Sequence, residues 1–155
     1  MAEIDVLLKA WDAAHWELGE AFKGLQDSDV WRRVDPRLLS IGELTAHMAY
    51  GEATNFGIPV ESPLIDRQNR YYPVAVVEPF SCDFGAEALY NEFERIHQEV
   101  KAGFLGKVGD LGDQNPSRPD WTWGATLEYM VFHVAYHTGQ IYSVRHLMGH
   151  ETEDN

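Results

Sequence analysis

Apolar residues recur at steps of three and four along this 155-residue chain, broken in three places by clusters of proline and glycine, and that pattern constrains it to helices joined by loops. In the first stretch Leu7, Leu8, Trp11, Ala14, Leu18, Ala21 and Phe22 share one stripe, and Gly24 is its stop signal. Ser40-Ile41-Gly42-Glu43 opens the second. A Ser-x-x-Glu run lets each side chain satisfy a free backbone N–H of the first turn, and the helix should end near Phe56, before Gly57 and Pro59. Asp83 is expected to cap a third helix whose stripe is Ala86, Leu89, Tyr90, Phe93, Ile96 and Val100, ending at Gly103 or Gly106. Thr122 is expected to cap the fourth and longest, which runs to about Met148 and stops at Gly149.

The segment from Leu25 to Leu39 carries Asp27, Ser28, Asp29 and Pro36 and reads as irregular, as does the loop from Lys107 to Trp121. Between them Ile58 to Cys82 is far longer than the usual link between helical neighbours, with Pro59, Pro63, Pro73 and Pro79 spread through it. Tyr71 to Val77 could form a short extended piece that Pro73 interrupts. The expectation is one all-α domain over residues 1–155, a four-helix bundle with a long crossover between its second and third helices. A chain of this length buries enough surface to fold without disulfides or a structural metal.

With 12 Lys+Arg against 25 Asp+Glu the formal net charge is −13. Nucleic-acid binders draw most of their affinity from basic side chains on phosphates, and anionic membranes attract basic segments; neither partner is expected. No apolar run approaches the ~18 residues of a membrane span, and the first residues lack a signal-peptide core, so a cytoplasmic protein is expected. Cys82 is the only cysteine. Any metal site must therefore use His, Asp or Glu.

The strongest local signal is His133-Val-Ala-Tyr-His137-Thr-Gly-Gln140. On a helix the two imidazoles lie about 40° apart and one turn from each other, so both can reach one ion. Tyr129 and Gln140 fall on the same face. A divalent transition ion usually takes at least three protein ligands, and His47, on the inward stripe of the second helix, is the best third. Glu43 one turn earlier and Tyr50 just after are candidates to fix the imidazole tautomer, while Gly51 would leave room for a ligand. Such a His pair also arises by chance. His15 reads as a core-edge residue, and His97, His146 and His150 as surface or helix-end residues. Arg145 could reach the pocket rim or sit solvated at the helix end. Cys82 lacks the electropositive setting of a reactive thiol.

The mid-chain Ser-Ile-Gly-Glu-Leu-Thr-Ala-His47 helix, followed by His133-x3-His137-x-Gly139-Gln140-Ile141 and Arg145, resembles the DinB/YfiT-like superfamily from about Asp5 to Gly149. The resemblance implies a bundle of up-down-down-up order, often a homodimer, in which His47, His133 and His137 hold one divalent ion per chain, with water completing its shell. Zn, Ni, Fe and Mn all suit three imidazoles. Characterised relatives include mycothiol-dependent maleylpyruvate isomerase, bacillithiol transferases and a few hydrolases. Thr138 stands where the common family pattern has Arg. The resemblance thus implies a metal-dependent enzyme that activates a low-molecular-weight thiol, or water, for transfer to a small electrophile. Glu43, Tyr50, Tyr129 and Gln140 would orient substrate or move protons, and the Ile58 to Cys82 crossover would act as lid or specificity segment. The alternatives are a metal-dependent hydrolase and a non-catalytic metal- or small-molecule-binding stress protein.

Overall fold

Three helix starts in this chain are held by side chains that satisfy free backbone N–H groups, and the described chain is mostly helical. The computed structural model describes residues 3–65 and 78–152. Within them run α1 (Glu3–Phe22), α2 (Asp27–Val30), α3 (Ile41–Phe56), α4 (Ala86–Leu105), β1 (Gln114–Asn115), β2 (Arg118–Thr122) and α5 (Trp123–Leu147). The extended piece expected at Tyr71 to Val77 lies outside the described residues.

At the start of α3 the Ser40 side chain accepts from the Glu43 N–H at 3.1 Å, and a Glu43 carboxylate oxygen accepts from the Ser40 N–H at 2.8 Å. The capping box forms as the sequence predicts. Gly57 closes α3 at φ +61°, a left-handed turn open to a residue without Cβ. Thr122 caps α5 by accepting from the Ala125 N–H. The start of α4 differs from expectation. Its N-cap is Gly85, and the first free N–H, that of Ala86, is taken at 2.8 Å by the Asp27 carboxylate of α2 instead of by Asp83. A Cβ on Gly85 would sit 2.4 Å from that carboxylate, so the glycine admits a cap from 59 residues away.

Two expected loops carry regular structure. Residues 27–30 form α2, and Trp31 beyond it lies flat on Gly42, where a Cβ would come within 2.3 Å of the indole, and donates to the Phe84 carbonyl at 2.8 Å. The loop before α5 folds into the antiparallel β1–β2 hairpin, with an irregular register. Its turn is drawn in by Asn115, whose side-chain oxygen accepts from the Ser117 N–H at 2.9 Å.

α1 lies chiefly along α5, α3 packs against both α4 and α5, and α1 also touches α4. Trp11, Phe56, Phe93, Phe104, Leu127 and Met130 are fully buried where these helices meet. The Phe56 ring lies 5.1 Å from that of Trp11 and 4.8 Å from that of Phe104. Burying one such side chain is worth about 1.5–3 kcal/mol, so the core rests on apolar packing. Arg145, expected at a pocket rim or in solvent, is buried instead, its guanidinium donating to the Ala21 and Lys23 carbonyls at 2.7 Å. It ties the free carbonyls at the end of α1 to α5. Among the described residues no helix is long and apolar enough to cross a membrane.

Candidate metal centre

α3 and α5 run against each other, and their contact brings His47 to His133 and His137. Each of the three offers a ligand nitrogen, and these nitrogens all lie within 4.8 Å of one another. The Nε2 atoms of His47 and His133 are 3.1 Å apart. Two nitrogens bound to one ion at about 2.0–2.1 Å would lie about 3.0–3.4 Å from each other, so this edge already has the span of a shared ion. His137 stands edge-on to both other rings, with centroids 4.8 Å and 4.5 Å away. Its Nδ1 donates to Gln140 Oε1 at 2.6 Å, which leaves the Nε2 lone pair free for an ion.

The protonation of the three is set by their surroundings. Burial, with His137 and His47 adjacent, pushes His133 down to about 3. Burial also lowers His137, to about 4 despite the Gln140 contact, and lowers His47. All three are therefore neutral near pH 7, the form that ligates. His133 Nδ1 is buried without a hydrogen-bond partner among the described residues, and an unmet buried polar atom is unusual in a settled core. It lies beside Gly51, where an added Cβ would come 3.0 Å from His133 Cε1. Gly51 thus makes room for the His133 imidazole, and it also lines the cavity that His47 and His133 face, the open space its position in the sequence suggested.

His47 and His133 face a cavity of about 480 Å³ shared with Tyr50, Asn55, Arg118 and Tyr129. Tyr129 lies against the His133 ring, centroids 5.5 Å apart. Tyr50 and Tyr129 line the cavity, and Gln140 holds His137. Glu43 does not. One of its carboxylate oxygens accepts from Arg33 Nη2 at 2.5 Å and the Phe80 N–H at 2.9 Å, the other from Arg33 Nε and the Ser40 N–H at 2.8 Å. Burial would raise its pKa, but Arg33 and the two backbone donors hold it below the usual carboxylate range. A carboxylate so engaged, and absent from the cavity lining, fixes the start of α3 and is not a proton carrier for the histidines.

A second group of potential ligands lies elsewhere in the core: His15, Glu52 and His97, all buried. His97, expected at the surface, is fully buried between Trp11 and His15, its ring stacked 3.6 Å from that of His15. Glu52 accepts from Trp11 Nε1 at 2.8 Å and His15 Nε2 at 2.7 Å, and lies 3.1 Å from His97 Nδ1. His15 Nδ1 meets Glu94 at 2.7 Å. Burial alone would lower the His15 pKa, but the two carboxylates outweigh it and raise it to about 9; burial alone would raise Glu52, but the two imidazoles lower it to about 2. Sequence reading missed Glu52 and Arg118. His97 had a signal, since it sits within the Phe93, Ile96 and Val100 stripe. The Cys82 thiol is pushed up by burial and by Asp83 against the pull of the Phe84 N–H.

No protein-family model, no curated protein and no solved structure matches this chain.

Proposed function

We propose that this chain is a metal-dependent enzyme in a DinB-like four-helix bundle, with one divalent transition ion held by His47, His133 and His137. Its substrate would be a low-molecular-weight thiol passed to a small electrophile. A homodimer, a cytoplasmic setting and the up-down-down-up helix order belong to the same reading. The convergence of three neutral imidazoles, two of which line a cavity, is the observation that carries it. When bound, the ion would supply a positive charge that lowers the pKa of a thiol or water beside it.

The remaining work falls to the chain's own residues. Gln140 holds His137 in the Nδ1–H tautomer, and Tyr129 packs the His133 ring in place. Tyr50 and Tyr129 line the cavity, and among the described residues its lining holds no Asp or Glu. That last feature favours a thiol over water. An ordinary thiol near pKa 8.5 ionises with little help, whereas hydrolysis gains from a positioned general base, and the carboxylate nearest in sequence, Glu43, is engaged elsewhere.

Elemental analysis of protein purified without a His tag tests the centre: one divalent ion per chain is expected, and none in the His133→Ala/His137→Ala variant. The metal-loaded protein is then given cysteine, glutathione, bacillithiol or mycothiol with a small electrophile. A metal-dependent rate rising on a limb well below pH 8.5 is expected. Two tight ions per chain, or full occupancy in the variant, would remove this site. Hydrolysis of a small ester or amide without thiol transfer would make the chain a hydrolase, and an ion bound with neither activity would make it a binding protein.

A further inference from the structure

We propose that Arg118 makes one side of this cavity a subsite for a carboxylate, so that the small molecule taken there is an anion; where the ligand's other end lies rests on the metal-centre reading above. Arg32, Arg33, Arg37 and Arg95 each pair with a carboxylate. Arg118 has no carboxylate within ion-pairing distance among the described residues, in a chain with 25 Asp+Glu against 12 Lys+Arg. Arg145 also lacks a carboxylate, but its guanidinium donates to the Ala21 and Lys23 carbonyls. Among the described residues, the cavity that Arg118 lines has no acid either.

The guanidinium is also held in a defined plane. It lies 4.0 Å over the Trp121 ring and 5.9 Å from that of Tyr129, and one Nη1–H donates to Asn55 Oδ1. Asn55 is itself fixed, its Nδ2 donating to the Gly51 carbonyl at 2.6 Å and its own carbonyl accepting from Asn115 Nδ2 at 2.8 Å. The Trp121 ring covers one side of the guanidinium and leaves its edge. The other N–H groups on that edge meet no acceptor among the described residues, and a planar fork of donors matches a carboxylate. Holding a partly buried cation without a counter-ion in so acidic a protein is accounted for by a ligand that brings the negative charge.

The test compares mercaptoacetate, 3-mercaptopropionate and 4-mercaptobutyrate with their methyl esters, by calorimetry and by the shift of the Trp121 indole N–H signal in NMR, on metal-loaded protein of measured ion content. At least one acid should bind about tenfold or more tightly than its ester. Arg118→Gln should erase that preference while keeping the ion content and the ester affinity, and Arg118→Lys should keep part of it. Equal affinity for acid and ester across the three lengths, or a preference that survives in R118Q, would overturn the proposal. If wild-type protein holds no ion, the metal reading falls on its own. Succinate against dimethyl succinate on that ion-free protein then decides Arg118 by the same criterion: a preference lost in R118Q upholds it, and equal affinity overturns it.

Discussion

Two histidine clusters, built from the same kind of side chain and both reached from α3, have opposite electrostatics. His47, His133 and His137 meet beside a cavity without a carboxylate, and their pKa values fall, to about 3 for His133 and about 4 for His137. His15 and His97 meet sealed in the core around Glu52, and His15 rises to about 9. Burial lowers the pKa in both places; the difference is the two carboxylates, Glu52 and Glu94, that bond His15. A neutral imidazole next to a cavity keeps its lone pair for an ion. An imidazolium stacked 3.6 Å from its neighbour and bonded to carboxylates on both nitrogens has no lone pair to give. Three potential ligands within reach of one another therefore mean a ligand site in one case and a buried ion pair in the other.

The largest effect should come from Glu52→Gln. Breaking a buried pair leaves the remaining charge uncompensated and costs about 3–5 kcal/mol, read as a fall in the urea midpoint. Divalent-ion binding should change little, because Glu52 is no part of the other cluster. A loss of stability under about 1 kcal/mol would mean that Glu52 is not the centre of an ion pair, and a lost ion would mean that the two clusters are coupled.

The same pair gives stability a shape in pH. His15 is raised above its unfolded value of 6.5, so its contribution is complete below pH 6.5 and is lost as pH rises through about 9. Glu52 is lowered from 4.5, so its contribution is complete above pH 4.5 and is lost as pH falls toward about 2. In the metal-free protein the lowered His133 and His137 also take stability away as pH falls below 6.5, so denaturation should show a maximum near pH 6.5 with falling flanks, and E52Q should flatten the alkaline flank. An unchanged alkaline flank in that variant would assign it to other groups.

What could be read from the chain alone divides along the range of the contacts. The Ser40–Glu43 capping box, the Thr122 cap and the His133/His137 face depend on residues within four positions of each other, and spacing encodes them. His47 was legible from the stripe of α3. Glu52 was not, because its partners His15 and His97 lie 37 and 45 residues away and nothing local marks a glutamate as buried. Arg118 comes from a hairpin that carries no periodic signal, and Asp27 caps α4 across 59 residues. Glu43 is the instructive error. One sequence pattern assigned its carboxylate to the helix cap and another, the wheel, to the histidines; the cap and Arg33 hold it, and one carboxylate cannot serve both.

On the ligand side of the comparison, Gln140→Ala should lower divalent-ion affinity about 10–100-fold, the usual effect of removing a residue that orients a ligating imidazole. The fold should hold, since among the described residues the Gln140 side chain bonds only to His137. Competition with a chromogenic chelator measures the affinity directly. An unchanged affinity would show that His137 needs no help to present Nε2, or that it does not ligate.

The smallest effect, and the one that separates the two clusters most finely, is expected at Gly51, the residue before Glu52. A Cβ there would meet His133 Cε1 at 3.0 Å and Nδ1 at 3.4 Å, tighter than ordinary contact, so the ring must yield by a few tenths of an ångström. Replacing a mid-helix glycine by alanine otherwise stabilises α3 by roughly 0.5–1 kcal/mol. Gly51→Ala should therefore leave the urea midpoint level or slightly higher while the ion is held several-fold more weakly. The signs differ because the backbone gains and the imidazole loses. If both quantities fall together, the His133 ring is part of the packing that holds α3 to α5. If neither falls, the ring has slack, and the 3.1 Å approach of His133 to His47 is not a rigid half of a metal site.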